Sequence, residues 1–163
     1  MTGEPLNVLF LCPNNACRSI IAEVLLNRVG RGHFCAFSAG EKPNAQINPY
    51  VRETLKQVGF DVSGQTPKSW ETFVSHNAPR LDAVITLAAS LKPVKLPIWY
   101  SNPVRVDWDV ANPELVKGED SDRISAFRRC YGDLEQQMLK MAGLALDGMR
   151  GQALQRNLET ISP

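Results

Sequence analysis

The sequence has no long hydrophobic run and no excess of charge of either sign. No apolar stretch approaches the roughly 20 residues that span a bilayer, and no basic segment precedes an apolar one at the N-terminus. Lys and Arg number 18 against 17 Asp and Glu, for a formal net charge of +1. That balance argues against a broad nucleic-acid or membrane-lipid surface. We therefore expect a cytoplasmic protein without nucleic-acid or membrane partners, in which any anion binding is local.

Cysteine and histidine are scarce and irregularly spaced. The four cysteines are Cys12, Cys17, Cys35 and Cys130. They are too few for a secreted disulfide framework. His33 and His76 stand near no second ligand type at a spacing that closes a zinc site, so no metal is expected. The length of 163 residues suits one domain spanning residues 1–163.

Predicted strands and predicted helices alternate along the chain. The buried strands are predicted at 8–11, 33–40, 81–89 and 96–100. The helices are predicted at 19–29, 49–58, 67–74 and about 120–141, with one more short helix within 147–163. Strands that alternate with helices predict an open α/β fold, with a parallel sheet covered on both faces. Ligands bind such sheets beyond the carboxyl ends of the strands, which is where the loop after 8–11 lies.

That loop carries a Cys-x5-Arg-Ser pattern, "CPNNACRS", from Cys12 to Ser19. A loop of this length that enters a helix can direct successive N–H groups at one point and form an anion nest. The helix N-terminus adds positive partial charge, and Arg18 supplies two parallel donors for an oxyanion. The same field favours the thiolate form of Cys12. The loop is therefore predicted to hold an oxyanion beside a sulfur nucleophile.

A Cys-x5-Arg match alone also occurs by chance, in which case Cys12 is a buried residue and Arg18 pairs with a surface carboxylate. The strand before the loop, the helix after it and the two asparagines within it favour the site. The other predicted oxyanion-binding residues are Pro13, Asn14, Asn15, Ala16, Cys17 and Ser19. Asn15 is expected to brace the loop through hydrogen bonds to its backbone. Ser19 either caps the helix or donates to the Cys12 thiolate.

On these residues the chain resembles the low-molecular-weight protein tyrosine phosphatase superfamily, and within it the thioredoxin-coupled arsenate reductases. The matching segments are "VLFLCPNNACRS", "AEVLL", "FSAGEKP", "NPYVRETLKQVGFDVS", "KSWETF", "LDAVITL", Trp108 and Asn112-Pro113. The resemblance implies an open three-layer, phosphatase-I-like sandwich with a four-stranded parallel sheet. It implies Cys12 as nucleophile, Arg18 as anion clamp, and Asn15 and Ser19 as loop supports. Arsenate or phosphate is the oxyanion it implies.

The chain departs from those reductases in its thiols. The two relay cysteines of the family fall at Ala88 and Leu96, and neither residue can carry thiol–disulfide exchange. Cys17 could form a disulfide with Cys12 but is expected to pack behind the loop. Cys35 and Cys130 are expected in the core, since free cysteine is among the most buried residue types. The remaining reductant is an external thiol, glutathione or a glutaredoxin-like partner, and no other cofactor is expected.

A second departure concerns the general acid. The superfamily places an aspartate before a proline in the late loop, where this chain has Asn112 before Pro113. Asp107 and Asp109 flank Trp108 and are alternative acids, with Asp109 the assigned candidate. The competing interpretation, which we favour for both, is that they are solvated loop carboxylates. A general acid contributes on the order of 10²- to 10⁴-fold to ester hydrolysis, and arsenate exchange with thiols needs it less.

Three functions therefore stay open at this point. The first is an arsenate reductase-like enzyme with an external thiol, which the missing acid favours. The second is a low-molecular-weight (tyrosine) phosphatase, and the third is a non-catalytic oxyanion-binding member of the superfamily.

Overall fold

The structure, a computed structural model, describes residues 3–144, 146 and 148–162. Its four strands are β1 (Leu6–Cys12), β2 (Phe34–Gly40), β3 (Ala83–Thr86) and β4 (Val104–Asp107). Its α-helices are α1 (Arg18–Val29), α2 (Pro49–Gln57), α3 (Asp120–Gly143) and α4 (Gly151–Thr160). Short 3-10 helices span Trp70–Phe73, Ala89–Leu91 and Pro113–Leu115. The strands pair in parallel in the order β2-β1-β3-β4, which confirms the α/β fold with a four-stranded parallel sheet.

The central strand β1 is buried on both faces of the sheet. Leu6, Val8 and Phe10 join the hydrophobic cluster that contains the apolar sides of the α-helices. Leu9 and Leu11 alternate with them and join the cluster on the opposite face. The second face is covered by the 3-10 helices and the segments around them, through buried residues that include Trp70, Phe73, Leu91 and Trp99. The third layer of the sandwich is therefore built of short 3-10 helices and connecting chain.

The fourth strand lies eight residues later than predicted. The apolar segment 96–100 forms no strand: Pro97 has no N–H to donate, Ile98 is 84% exposed, and Trp99 packs on the second face. The strand is instead β4 at the sheet edge, where only Val106 is fully buried. An edge strand is not buried on every side, so its sequence alternates apolar and charged residues and does not form an apolar run.

The helix predicted over 67–74 is also wrong in extent, and only the 3-10 helix Trp70–Phe73 forms. The backbone just before it is engaged elsewhere. The Lys68 N–H donates to Asn15 Oδ1 at 2.9 Å, the Lys68 carbonyl accepts from the Gly40 N–H at 2.9 Å, and Ser69 pairs with Gly40 as an isolated parallel bridge. These contacts hold the segment extended and tie it to the loop after β1.

The other helices begin and end within two residues of their predicted bounds, apart from the tail. There α4 falls inside the predicted range 147–163, of which Asp147 and Pro163 lie outside the described residues. A single domain over 1–163 stays a prediction. Across the described residues, no helix combines the length and the hydropathy that crossing a membrane requires.

Helix α3 offers a test of how the hydrophobic core packs, because its inner face carries Met138 and its outer face carries Leu139. Met138 is fully buried, while Leu139 is 47% exposed. Met138→Ala should lower the free energy of unfolding by about 2–5 kcal/mol, because the substitution removes buried side-chain atoms and leaves a cavity. Leu139→Ala, the matched control, should change it by less than about 0.5 kcal/mol. Urea unfolding measures both, and equal losses would contradict the packing described here.

Candidate active site

The loop between β1 and α1 turns on Asn15, which has a left-handed backbone with φ of 48°. Asparagine tolerates that conformation better than most residues. Its amide also links two parts of the site: Nδ2 donates to Ser19 Oγ at 2.8 Å, and Oδ1 accepts from the Lys68 N–H at 2.9 Å. Asn15 is fully buried, so one side chain fixes the loop to the start of α1 and to the segment before Trp70.

Ser19 contacts the cysteine. Its Oγ lies 2.8 Å from Cys12 Sγ, and both residues are buried. Since this hydroxyl already accepts from Asn15, its own hydrogen is available for the sulfur. Such a donor stabilises negative charge on Sγ. The residue before α1 is Cys17, and no side chain of the described residues caps this helix end. Of the two roles open for Ser19, the structure therefore supports the contact with Cys12.

Arg18 is held by backbone carbonyls that follow two neighbouring strands. Its Nη1 donates to Val110 O at 3.0 Å, after β4, and to Leu87 O at 3.4 Å, after β3. The residue is only 7% exposed, and within the described part of the chain its buried Nε has no hydrogen-bond partner. A buried guanidinium N–H without an acceptor is costly. The side chain is therefore fixed at one end and keeps a donor for an anion.

The carbonyl groups of the loop point outward to the chain after β2. Pro13 O accepts from the Lys42 N–H at 2.9 Å, Asn14 O from the Asn44 N–H at 3.0 Å, and Ala16 O from the Asn48 N–H at 3.0 Å. By contrast, the N–H groups of Asn14, Asn15 and Cys17 have no acceptor in the portion of the chain that is described. Outward carbonyls with unpaired N–H groups are what an anion nest requires.

Close approach of the loop to β2 requires a glycine at position 40. A Cβ at Gly40 would stand 2.8 Å from the Asn15 nitrogen and 2.9 Å from the Pro13 oxygen. Both atoms are backbone, so the loop itself would have to move. The glycine is visible in the sequence segment "FSAG". The need for it arises only from the fold, because Gly40 pairs with Cys12 in the sheet.

Sequence reasoning missed Glu114, which joins the loop to a third segment. Its Oε1 accepts from Asn14 Nδ2 at 3.4 Å, and its Oε2 accepts from Asn48 Nδ2 at 3.0 Å. Asn112 accepts from the Glu114 N–H at 3.0 Å and so caps the 3-10 helix Pro113–Leu115. The position before Pro113 is therefore a capping amide, and the neighbouring carboxylate anchors the loop.

The two aspartates proposed as acids are engaged differently. Asp107 accepts from the Thr86 hydroxyl at 2.6 Å and from Arg105 Nε at 3.1 Å, which holds its carboxylate at the end of β4. Asp109 is exposed and lines a cavity against α3. Within the described residues, Asp109 makes no hydrogen bond to the loop Cys12–Ser19. Its assignment as the acid stays a prediction.

A half-buried carboxylate lies on α1 one turn beyond the loop. Glu23 Oε2 accepts from Ser38 Oγ at 2.9 Å. Burial raises the pKa of Glu23, while the nearby Lys68 charge and the Ser38 hydroxyl act in the opposite direction. The net raised pKa means that this carboxyl retains its proton to a higher pH than an exposed glutamate does.

The other thiols are distributed between core and surface. Cys17 and Cys130 are buried, and the pKa of Cys17 is raised well above its ordinary value by burial and by contact with Cys130. Cys35 is exposed, so the expectation that it belongs to the core is wrong. Cys12 pairs with Gly40 across the sheet. Cys35 lies five residues earlier, about 17 Å along the strand, which is too far for a disulfide.

Neither predicted relay position carries sulfur. Ala88 is buried two residues after the end of β3, next to Leu87, whose carbonyl holds Arg18. Leu96 lies in the irregular segment before β4. Within residues 3–144, 146 and 148–162, no three His, Cys, Asp or Glu side chains converge as a metal-binding group.

Comparison with known protein families agrees with this loop geometry. Residues 7–159 match the low molecular weight phosphotyrosine protein phosphatase family. The match spans most of the chain, and the chain belongs to this family.

Among its relatives, the glutaredoxin arsenate reductase of Synechocystis sp. is 30% identical over 132 residues, which cover 80% of this chain and 92% of that protein. An arsenate reductase solved in its phosphate-binding state has a TM-score of 0.66 and 29% identity, covering 84% of this chain and 96% of the other. The tyrosine phosphatase Wzb of Escherichia coli K30, solved with sulphate, has a TM-score of 0.65 at 20% identity and covers 87% and 97%. That last likeness concerns the fold alone.

Gly40→Ala tests the packing of the loop. The added Cβ cannot fit without shifting the backbone at Asn15, so we expect phosphate to bind about tenfold or more weakly, a loss of about 1.4 kcal/mol. Isothermal titration with phosphate measures this. Gly64→Ala is the matched control, because a Cβ at Gly64 meets nothing within 4 Å. Unchanged phosphate affinity in Gly40→Ala would show that the loop does not depend on this contact.

The burial of Cys17 predicts its reactivity. A raised pKa leaves the thiol protonated, and the thiolate is the reactive form. During brief treatment of the native protein with iodoacetamide near neutral pH, Cys35 should be alkylated well before Cys17. Peptide mass mapping measures the order, and the same reaction in urea controls for intrinsic reactivity. Equal labelling of the two thiols in the native protein would contradict the buried position of Cys17.

Proposed function

We propose that this chain reduces arsenate, with Cys12 as the nucleophile, Arg18 as the anion clamp and an external thiol as the electron donor. The observation that carries the proposal is the buried Arg18 guanidinium. Carbonyls hold one of its nitrogens, while its Nε and the backbone N–H groups of Asn14, Asn15 and Cys17 have no acceptor among the described residues. A tetrahedral oxyanion supplies the missing acceptors. Arsenate reductases among the relatives support arsenate as that anion.

The first step is thiol exchange at arsenic. Bound arsenate offers oxygens to Arg18 and to the loop N–H groups, which neutralise its charge and orient arsenic toward Cys12. The Cys12 thiolate, supported by Ser19 at 2.8 Å, attacks arsenic. One As–O bond breaks, its oxygen leaves as water after taking up protons, and an As–S bond forms. Arsenic is still pentavalent at this stage.

The second step carries the electrons. An external thiolate attacks the Cys12 sulfur, a sulfur–sulfur bond forms, and the electron pair of the As–S bond goes to arsenic. Arsenic becomes trivalent and leaves as arsenite, and the protein holds a mixed disulfide at Cys12. A second thiol attacks that disulfide and frees the Cys12 thiolate. Two thiols are thus oxidised to one disulfide for each arsenate reduced.

The thiols of this chain support an external donor. Ala88 and Leu96 carry no sulfur, Cys17 is buried with a raised pKa, and Cys35 is about 17 Å from the level of Cys12 along β2. Glutathione or a glutaredoxin is the donor we propose, in line with the glutaredoxin-linked relative. The reducing cytoplasm, where such thiols are plentiful, is the proposed location.

Hydrolysis of aryl phosphates is the second candidate, favoured by the family to which the chain belongs. It requires protonation of the leaving oxygen. Asn112 has no acidic proton and caps a 3-10 helix, and Asp107 is held by Thr86 and Arg105. Asp109 remains the proposed acid. Without an acid held at the loop, ester hydrolysis should be slower by a factor on the order of 10² or more.

The test measures arsenite release with glutathione and glutaredoxin, and in parallel the hydrolysis of an aryl phosphate. Wild-type protein should form arsenite, while Cys12→Ser should lose that activity and keep its fold. Cys35→Ser is the matched control and should leave the rate unchanged, because Cys35 lies outside the site. Hydrolysis without arsenite formation would favour the phosphatase, and oxyanion binding without either activity would reduce the chain to an anion-binding protein.

A further inference from the structure

The two backbone carbonyls that hold Arg18 lie just beyond the ends of two neighbouring strands. Leu87 follows Thr86, the last residue of β3, and Val110 lies three residues after Asp107, the last residue of β4. The Val110 N–H donates to Leu87 O at 3.1 Å, and Leu87 O also accepts from Arg18 Nη1 at 3.4 Å. The position of the buried guanidinium therefore depends on how firmly these two chain segments are fixed.

A network of side chains joins β3 and β4 at these ends. Thr86 and Asp107 pair in the register of the sheet, and the buried Thr86 hydroxyl donates to Asp107 Oδ1 at 2.6 Å. The same oxygen accepts from Arg105 Nε at 3.1 Å. Arg105 lies two residues before Asp107 in β4, so both side chains are on one face of the sheet. One carboxylate oxygen thus links the last residue of β3 to a guanidinium on β4.

Arg105 extends this network to the segment that follows β3. Its Nη1 donates to Val94 O at 3.0 Å, and its Nη2 donates to Leu91 O at 2.8 Å and to Lys92 O at 3.1 Å. Leu91 and Lys92 stand at the end of the 3-10 helix Ala89–Leu91, where carbonyl groups lack partners within the helix. Arg105 therefore closes this helix end and holds it against β4.

We propose that Arg105 is a positioning residue of the oxyanion site and that it acts through Arg18. Its guanidinium fixes the segments after β3 and β4 to each other, and those segments present the carbonyls of Leu87 and Val110 to Arg18. The Arg18 side chain is then ordered before an anion arrives, so less conformational entropy is lost on binding. This inference rests on the oxyanion site of the proposed function, but not on what happens to the bound anion.

The geometry of the Arg105 side chain matters more than its charge. The Arg105–Asp107 pair is partly exposed, at 32% and 31% of the two side chains, and exposed ion pairs contribute little to stability. A guanidinium directs its N–H donors outward in one rigid plane, and here its nitrogens reach four oxygens. A lysine ammonium is a point charge on a flexible chain, so it cannot hold those oxygens at once.

The test is isothermal titration with inorganic phosphate of the wild type and of three variants in the network. Arg105→Gln and Arg105→Lys should each weaken phosphate binding about threefold to tenfold, because neither side chain can hold the carbonyls of the segment after β3. Thr86→Val replaces only the hydroxyl bonded to Asp107 and should weaken binding in the same direction. Circular dichroism reports that each variant folds.

Arg150→Gln is the matched control. Arg150 Nε pairs with Asp82 Oδ1, also at 3.1 Å, and Asp82 precedes the first residue of β3. The variant therefore loses an Arg–Asp pair of the same kind at the end of β3 away from Leu87. Its phosphate affinity should equal that of the wild type.

The Nε–H signal of Arg18 in the phosphate-free, ¹⁵N-labelled protein gives a readout that a general loss of stability does not move. It should shift in Arg105→Gln and stay in place in Arg150→Gln. Wild-type phosphate affinity in Arg105→Gln would overturn the proposal. A loss that Arg105→Lys does not share would also overturn it, because the effect would then come from charge at long range. Absence of phosphate binding by the wild type would instead overturn the oxyanion site, and this inference with it.

Discussion

The site depends above all on the direction in which the carbonyl groups between β1 and α1 point. The chain after β2 donates N–H groups to the carbonyls of Pro13, Asn14 and Ala16, which turns those carbonyls away from the centre of the loop. Among the described residues, the backbone N–H groups of Asn14, Asn15 and Cys17 have no acceptor. Arg18 adds a guanidinium that the carbonyls of Val110 and Leu87 hold in place. These outer hydrogen bonds orient the peptide groups of the loop. Without them, the N–H donors would not converge beside the buried sulfur of Cys12.

That arrangement explains how one fold can serve two chemistries. Binding a tetrahedral oxyanion and ionising a sulfur are needed both for ester hydrolysis and for arsenate reduction. What separates them is the neighbouring group: an acid for the leaving oxygen, or a thiol for the electrons. At the positions that the sequence resemblance assigns to the acid and to a relay thiol, this chain has Asn112 and Ala88. The proposed external thiol supplies the electrons from outside the protein, whereas the general acid must be one of the protein's own side chains.

Much of this could be predicted from sequence because the relevant signals are local. The apolar run of β1, the spacing from Cys12 to Arg18 and the following helix lie within about twenty residues. The features that sequence missed come from pairing across the fold. β4 is a short edge strand with an alternating pattern, and the apolar segment 96–100 resembles a strand more than β4 does. Glu114 becomes part of the site only because the chain after β4 crosses Asn14.

The most direct test of the central claim is a titration of the ¹⁵N-labelled protein with phosphate, followed by NMR. The backbone amide signals of Asn14, Asn15 and Cys17, and the Nε–H signal of Arg18, should move together and saturate at one dissociation constant. Signals from the far end of β1 should stay in place. If phosphate leaves those four signals unchanged, the loop does not bind oxyanions and the proposed chemistry at Cys12 has no basis.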